Sequence, residues 1–90
     1  MLTILKPLNP KKPFNVKTVY LCLRMYGFEP LVPVGKYNSG AYYAIRGKVK
    51  YSITITPQEV TIGYTPIEED VLSAIAGLCN ATIEIEVEGE

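Results

Sequence analysis

The sequence predicts an α+β domain in which an antiparallel sheet carries two helices on its apolar face. Apolar and polar residues alternate with strand period through positions 41–56, and this pattern returns at positions 82–88. Apolar residues recur at helical spacing in positions 16–26 and 67–78. A chain of 90 residues has the length of one domain with one core, so residues 1–90 are expected to fold as a single unit.

The chain opens with a short strand and a linker. Residues 2–5 are apolar enough for a strand, which Pro7 and Pro10 are expected to end. Residues 6–13 hold three prolines and three lysines. This composition favours an exposed linker between the first strand and the first helix.

The first helix has signals at both ends. Asn15 is a good N-cap for a helix over residues 16–26, because its side chain can accept a hydrogen bond from the first turn. Phe14 and Val19 stand at the two positions of a hydrophobic staple, and Gly27 supplies a left-handed stop.

Residues 28–34 are a weak strand candidate. Pro30 and Pro33 cannot donate hydrogen bonds to a neighbouring strand, which predicts an edge strand or an extended loop. Gly35 and Gly40 have the spacing of a phosphate-binding loop, but the lysine and hydroxyl residue of that motif are missing. We therefore reject a phosphate site there.

The long alternating segment is expected to form a hairpin, because a single strand usually has about 5–6 residues. A three-residue turn at positions 46–48 would divide it. The pairs that then face each other on the apolar side are Ile45 with Val49 and Tyr43 with Tyr51. A second turn, at positions 56–59, has proline at its favoured position. The pairs that it creates are Ile55 with Val60, Ile53 with Ile62 and Tyr51 with Tyr64.

The second helix has the strongest local signature. Thr65 is expected to be its N-cap, Pro66 its first residue and Glu68 the acid that closes a capping box. Asn80 suits the C-terminal stop. A last strand over residues 82–88 alternates isoleucine and valine with glutamate.

The elements follow the order β-α-(β)-β-β-β-α-β, which approximates a ferredoxin-like fold carrying an extra strand. Both helices are expected to pack on the apolar face of the sheet. The predicted core consists of Val19, Tyr20, Leu23, Ile45, Val49, Ile53, Ile55, Ile62, Val71, Ile75, Leu78, Ile83 and Ile85.

The net charge of zero conceals an uneven distribution. Every lysine and arginine lies in residues 1–50, where nine bases accompany one acid, Glu29. Residues 51–90 contain eight acids and no base. Such asymmetry favours an anionic partner or charge-matched self-assembly.

The residue types argue against an enzyme. The chain has no histidine, the commonest general base, so its serines have no partner that could activate them. Glu84, Glu86 and Glu88 share a strand face that could hold a cation, but a solvated strand face is the simpler interpretation. We expect no catalytic residue, metal, cofactor or small-molecule substrate.

Nucleic-acid binding is the alternative function. A basic hairpin with nearby tyrosines can contact phosphates and stack on bases. The residues expected to contribute are Lys11, Lys12, Lys36, Tyr37, Arg46, Lys48 and Lys50. The same pattern is explained by a solvated face whose lysines keep the protein soluble, and no established nucleic-acid-binding motif is present.

The preferred function is a small interaction module that self-associates through a sheet edge or face, or binds another protein. The expected interface residues are Glu84, Glu86 and Glu88, which could meet the basic hairpin of a second copy. If the acidic and basic rows are instead neighbours within one chain, they neutralise each other and no function follows.

Cys22 and Cys79 are too far apart in sequence for a C-x-x-C motif. They are expected to be buried free thiols, with a disulfide between the helices as the alternative, particularly in a protein from a hyperthermophile. No apolar stretch approaches the roughly 18 residues of a membrane helix, and residues 1–5 do not begin a signal peptide. A cytoplasmic location is expected.

Overall fold

The computed structural model of the chain describes residues 1–29, 31–35 and 39–87. Its elements are β1 (Leu2–Pro7), α1 (Val16–Met25), β2 (Leu31–Pro33), β3 (Ala41–Arg46), β4 (Val49–Ile55), β5 (Val60–Gly63), α2 (Glu69–Cys79) and β6 (Ala81–Glu86). This order of strands and helices is the predicted one.

The strands form one six-stranded antiparallel sheet in the order β2-β3-β4-β5-β1-β6. The two helices contact each other, and both contribute side chains to a single core against the sheet. The α+β class is therefore confirmed. The longer helix has 11 residues, and no helix in the described part of the chain is long and apolar enough to cross a membrane.

Helix α1 begins as its capping signals predict. The side-chain oxygen of Asn15 accepts a hydrogen bond from the backbone nitrogen of Thr18 at 3.2 Å. Phe14 and Val19 are both buried, as a hydrophobic staple requires. Gly27 follows the helix with a φ of +95°, which only glycine adopts without strain.

The β3–β4 turn differs from its prediction. It has two residues, Gly47 and Lys48, so that Arg46 pairs with Val49 and Ile45 pairs with Lys50. Gly47 has a φ of +66°, which suits the first central position of a two-residue hairpin turn. The predicted three-residue turn is wrong, and the one-residue difference moves every β3 side chain to the other face.

The remaining strands mostly follow expectation. Ile55 pairs with Val60 and Ile53 with Ile62, as the turn at positions 56–59 predicts. Strand β2 is a short edge strand, also as predicted. Strand β1, however, continues through Lys6 and Pro7, two residues expected in the linker, because they pair with Thr82 and Ala81 of β6.

Helix α2 begins three residues later than its capping box predicts. Glu68 occupies the N-cap position with extended backbone angles, and its side chain makes no capping hydrogen bond. The predicted N-cap at Thr65 is therefore wrong. At the other end, Asn80 has a left-handed φ of 54°, which confirms it as the stop.

Six of the thirteen predicted core residues are buried, and two more are half-buried. The buried members are Val19, Leu23, Ile53, Ile55, Ile62 and Ile75, and the half-buried ones are Tyr20 and Val71. The prediction is wrong for Ile45, Val49, Leu78, Ile83 and Ile85, which are exposed. Ile45 is exposed because the shorter turn places it on the face without helices, whereas Ile83 and Ile85 lie on the last strand of the sheet. Core residues that the prediction missed include Leu5, Phe28, Tyr51 and Val60.

Candidate interaction site at the sheet edge and open face

The two edges of the sheet differ in their capacity to pair with another strand. Strand β2 has three residues and ends in Pro33, and both features protect an edge from further pairing. Strand β6 has six residues and contains no proline, and within the described part of the chain it pairs only with β1. The β6 edge is therefore the side at which the sheet can be extended.

The side chains of β6 separate by chemistry onto the two faces. Glu84 and Glu86 pair with Ile4 and Leu2 on the face without helices. Ile83 and Ile85 lie on the helix face, where Ile85 is 51% exposed. A long edge strand with exposed aliphatic side chains is a typical site of strand addition.

The acidic row on β6 is partly neutralised within the chain. Glu84 forms an ion pair with Lys6 of the adjacent strand at 3.2 Å, with both side chains about half exposed. Glu86 makes no ion pair within residues 1–29, 31–35 and 39–87. Glu88, the third predicted interface residue, lies outside the described residues.

The face of the sheet opposite the helices, called the open face below because no described helix packs on it, contains a groove of about 420 Å³. The residues that line it are Val34, Ala41, Tyr42, Tyr43, Lys50, Tyr51, Ser52, Gly63 and Tyr64. The ammonium nitrogen of Lys50 lies 4.6 Å from the centre of the Tyr43 ring, which is the geometry of a cation–π contact. Tyr64 is 63% exposed.

Arg46, predicted to contact phosphates, is engaged within the chain. Its two terminal nitrogens donate to the carboxylate oxygens of Glu68 at 2.7 and 2.9 Å, and its Nε donates to the carbonyl of Tyr26 at 2.9 Å. Its guanidinium carbon lies 5.6 Å from the centre of the Phe28 ring. The hydrogen bonds from Arg46 lower the pKa of Glu68 to about 2.

The other predicted phosphate contacts do not gather in one place. Lys48 lies in the turn before β4, whereas Lys11 and Lys12 follow the end of β1, which lies at the far end of the sheet. The seven residues of β4 separate these ends by about 23 Å at the usual strand rise. Lys36 and Tyr37 lie outside the described residues. Of the predicted residues that the structure describes, only Lys50 lines the groove on the open face.

The acidic and basic rows are not neighbours within the chain. Strand β6 carries the glutamates, and β1 and β5 separate it from β4, which carries Lys50. The interpretation that the two rows neutralise each other across adjacent strands is therefore wrong. Glu84 pairs instead with Lys6 of β1, which does not belong to the basic hairpin.

The two cysteines are free and lie on neighbouring helices. Cys22 is buried and Cys79 is half-buried. Burial, with a smaller contribution from the Cys22 thiol beside it, raises the pKa of Cys79 to about 12. A thiol with so high a pKa is a poor nucleophile near neutral pH, so this pair has the character of core packing.

No group of three or more cysteine and acidic side chains that could hold a metal ion occurs among the described residues. Neither Tyr43 nor Tyr64 of the groove was predicted from the sequence as a site residue. A two-residue turn beginning at Gly47 would have placed Tyr43 on the open face. Tyr64 follows β5, and that turn carries no information about it. Comparisons with protein-family models, with curated proteins and with solved structures give no match, so any function must be argued from the geometry of the chain itself.

Proposed function

We propose that this chain is a non-enzymatic interaction module that self-associates through the β6 edge of its sheet. The observation that carries the proposal is a six-residue, proline-free edge strand with exposed Ile83 and Ile85. Pairing with a second copy would satisfy the outward backbone groups of β6 and would bury these side chains. The absence of histidine supports a binding function over a catalytic one.

A two-fold axis perpendicular to the sheet would place β6 of two copies side by side and antiparallel. The six strands of each copy would then form one continuous sheet with all four helices on the same side. In this arrangement, isoleucines would meet isoleucines on the helix face and glutamates would come close together on the open face.

The glutamates favour one register of this pairing. Centring it on Ile83 places Thr82 opposite Glu84 of the second copy. It also places Ile85 opposite Ala81. Centring it on Glu84 or on Ile85 instead places two glutamates directly opposite each other, which is destabilising. We therefore favour the register centred on Ile83.

Salt distinguishes this arrangement from one in which an acidic row meets a basic row. At the proposed junction the nearest charges are alike, because Glu84 and Glu86 of both copies share the open face. Screening increases as the Debye length falls from about 10 Å at 0.1 M salt to about 3 Å at 1 M. Self-association through β6 should therefore strengthen with salt, whereas acidic-to-basic pairing should weaken.

Sedimentation velocity over a wide range of concentration and salt tests the proposal. Ile85→Lys, which places a charge on the edge strand, should give a folded monomer. Leu21→Lys is the matched control, because Leu21 is 48% exposed and lies on α1, away from the edge. A wild-type protein that stays monomeric at high micromolar concentration in high salt would refute self-association.

We also propose that β4, β5, β1 and β6 with the two helices form a ferredoxin-like unit. Its support is the strand order, in which β1 lies between the strands joined by α2. The β2–β3 pair would be the addition to this unit. We further propose a cytoplasmic location, because Cys22 and Cys79 are free thiols and the cytoplasm keeps thiols reduced.

A further inference from the structure

The groove on the open face has a single charged lining residue among those described, Lys50. The glutamates on the open face of β6 are distant from it. Glu84 and Glu86 lie on β6, three strand spacings from β4, or about 14 Å. This exceeds the Debye length of about 8 Å at physiological salt, so the acids of β6 are largely screened from the groove. The local charge of the groove therefore favours an anionic ligand.

Two tyrosines give the groove an aromatic character. Tyr43 supports the ammonium group of Lys50 at 4.6 Å and thereby holds this long side chain across the sheet face. Tyr64 follows β5, lines the groove and is 63% exposed. An exposed aromatic ring next to an oriented cation can stack on one face of a base while the cation binds the adjacent phosphate.

We propose that this groove is a binding site for single-stranded nucleic acid, with a base on Tyr64 and a phosphate on Lys50. A single strand fits better than a duplex, because its bases are free to leave their own stack and lie on an aromatic side chain. The site differs from the hairpin-tip site expected from sequence, since Arg46 has no part in it. It also lies apart from β6, so it does not depend on self-association.

Fluorescence anisotropy with a labelled oligothymidylate tests this proposal. Its length of about ten nucleotides is within the roughly 4–16 nucleotides that one single-strand-binding domain usually covers. An oligouridylate and a duplex of the same length are the comparison ligands, and a glutamate peptide serves as competitor. The variants are Tyr64→Ala, Tyr64→Phe and Lys50→Gln. Lys17→Gln on α1 is the matched control, because it removes the same charge from an exposed position away from the groove.

We expect both single strands to bind more tightly than the duplex. Tyr64→Ala should weaken binding roughly 5- to 150-fold, whereas Tyr64→Phe should retain it because the ring remains. Lys50→Gln should reduce the slope of log K against log salt by about 0.7, the value for one phosphate contact on a single strand. Lys17→Gln should leave both the affinity and the slope unchanged.

Four outcomes would overturn the site. The first two are the absence of single-strand binding at about 50 µM protein in low salt and tighter binding of the duplex than of the single strands. The third is an equal effect of Lys50→Gln and Lys17→Gln on affinity and salt slope. The fourth is displacement of the labelled strand by the glutamate peptide as effectively as by unlabelled oligonucleotide. Tyr64 and Lys50 are exposed, so the variants are expected to fold, and thermal unfolding of each one checks this.

Discussion

Arg46 binds both carboxylate oxygens of Glu68, at 2.7 and 2.9 Å, and so connects the β3–β4 hairpin to the segment that leads into α2. The Nε of the same arginine donates to the carbonyl of Tyr26, just beyond α1. One side chain thus joins three segments of the fold. The carboxylate held by Arg46 does not close the capping box predicted from Thr65, and α2 begins at Glu69.

The ion pair predicts how stability depends on pH. The pKa of Glu68 is about 2 in the folded protein, against 4.5 for an ordinary glutamate. Between these values the unfolded state binds more protons, so the contribution of Glu68 is present above about pH 4.5 and is lost as the pH falls towards 2. Glu68→Gln should therefore destabilise the protein at neutral pH and have little effect near pH 2.

Urea unfolding of both proteins across this pH range measures the difference. Arg46→Lys is a second variant, because an ammonium group cannot bind both carboxylate oxygens in the planar arrangement of a guanidinium. It should reduce the same pH dependence. A stability difference between wild type and Glu68→Gln that is unchanged from neutral pH to pH 2 would contradict the prediction.

Two substitutions in the β3–β4 hairpin test whether its strands pair through the observed two-residue turn or the predicted three-residue turn. Ile53 is 1% exposed, so Ile53→Asp should unfold the protein, since a buried unpaired charge costs several kcal/mol in a domain with about 5–15 kcal/mol of stability. Ile45 is 39% exposed on the open face, so Ile45→Asp should fold. Circular dichroism and thermal unfolding distinguish them. Unfolding of both variants would favour the three-residue turn.

The hairpin shows what the sequence can predict and what it cannot. Alternation identifies the two strands, but it continues unbroken through positions 46–48 and is compatible with a turn of two or three residues. The two-residue turn places Arg46 on the helix face, where it binds Glu68, a residue 22 positions further along the chain. Periodicity within a segment carries no information about such a contact.

The candidate sites depend on tertiary arrangement in the same way. The alternation of glutamate and isoleucine in β6 is visible in the sequence, but its edge position follows from pairing with β1, which is remote in sequence. Similarly, Lys12 and Lys48 look like one basic group in the first half of the chain. The fold places them at opposite ends of the sheet.

Replacement of three glycines by alanine, one at a time, should change the stability of the protein by different amounts. Gly40 has a φ of +80°, and an added Cβ would lie 2.6 Å from the carbonyl oxygen of Ile55. Gly47 has a φ of +66° but no atom within 4 Å of that position, so Gly47→Ala should cost only the left-handed strain of about 1–2 kcal/mol. Gly40→Ala should cost more than Gly47→Ala because the clash adds to the strain.

Gly77 provides the control, because it lies in α2 with open space around the added Cβ. Gly77→Ala should stabilise the protein by about 0.5–1 kcal/mol. Denaturant midpoints rank the three variants. If Gly47→Ala proved as harmful as Gly40→Ala, the close approach of Gly40 to Ile55 would have no energetic role.

The thiol of Cys79 should be protected in the folded protein. Its pKa is raised from 9.0 to about 12, so near pH 8 its labelling by a thiol reagent should be slower than in the unfolded chain by on the order of a hundredfold or more. Because the folded pKa is the higher one, the stabilising contribution is complete below about pH 9 and declines as the pH rises towards 12. Equal labelling rates in native and denatured protein would contradict this.

The register proposed for self-association can be tested by crosslinking. In a pairing centred on Ile83, this residue meets its own copy, with the two Cα atoms about 4.5–5.5 Å apart, a separation that a disulfide can span. Ile83→Cys, in a chain that also carries Cys22→Ala and Cys79→Ala, should form a covalent dimer under mild oxidation. Non-reducing electrophoresis and mass spectrometry detect it.

Glu84→Cys in the same background is the matched control. In the favoured register, Glu84 of one copy lies diagonally from Glu84 of the other, with Cα atoms about 8 Å apart, which is too far for a disulfide without backbone movement. It should crosslink only if the pairing is centred on Glu84. Rapid crosslinking of Glu84→Cys with none of Ile83→Cys would retain association at β6 but reject the Ile83 register. Failure of both variants, in a protein that sedimentation shows to be monomeric, would reject the β6 edge as an interface.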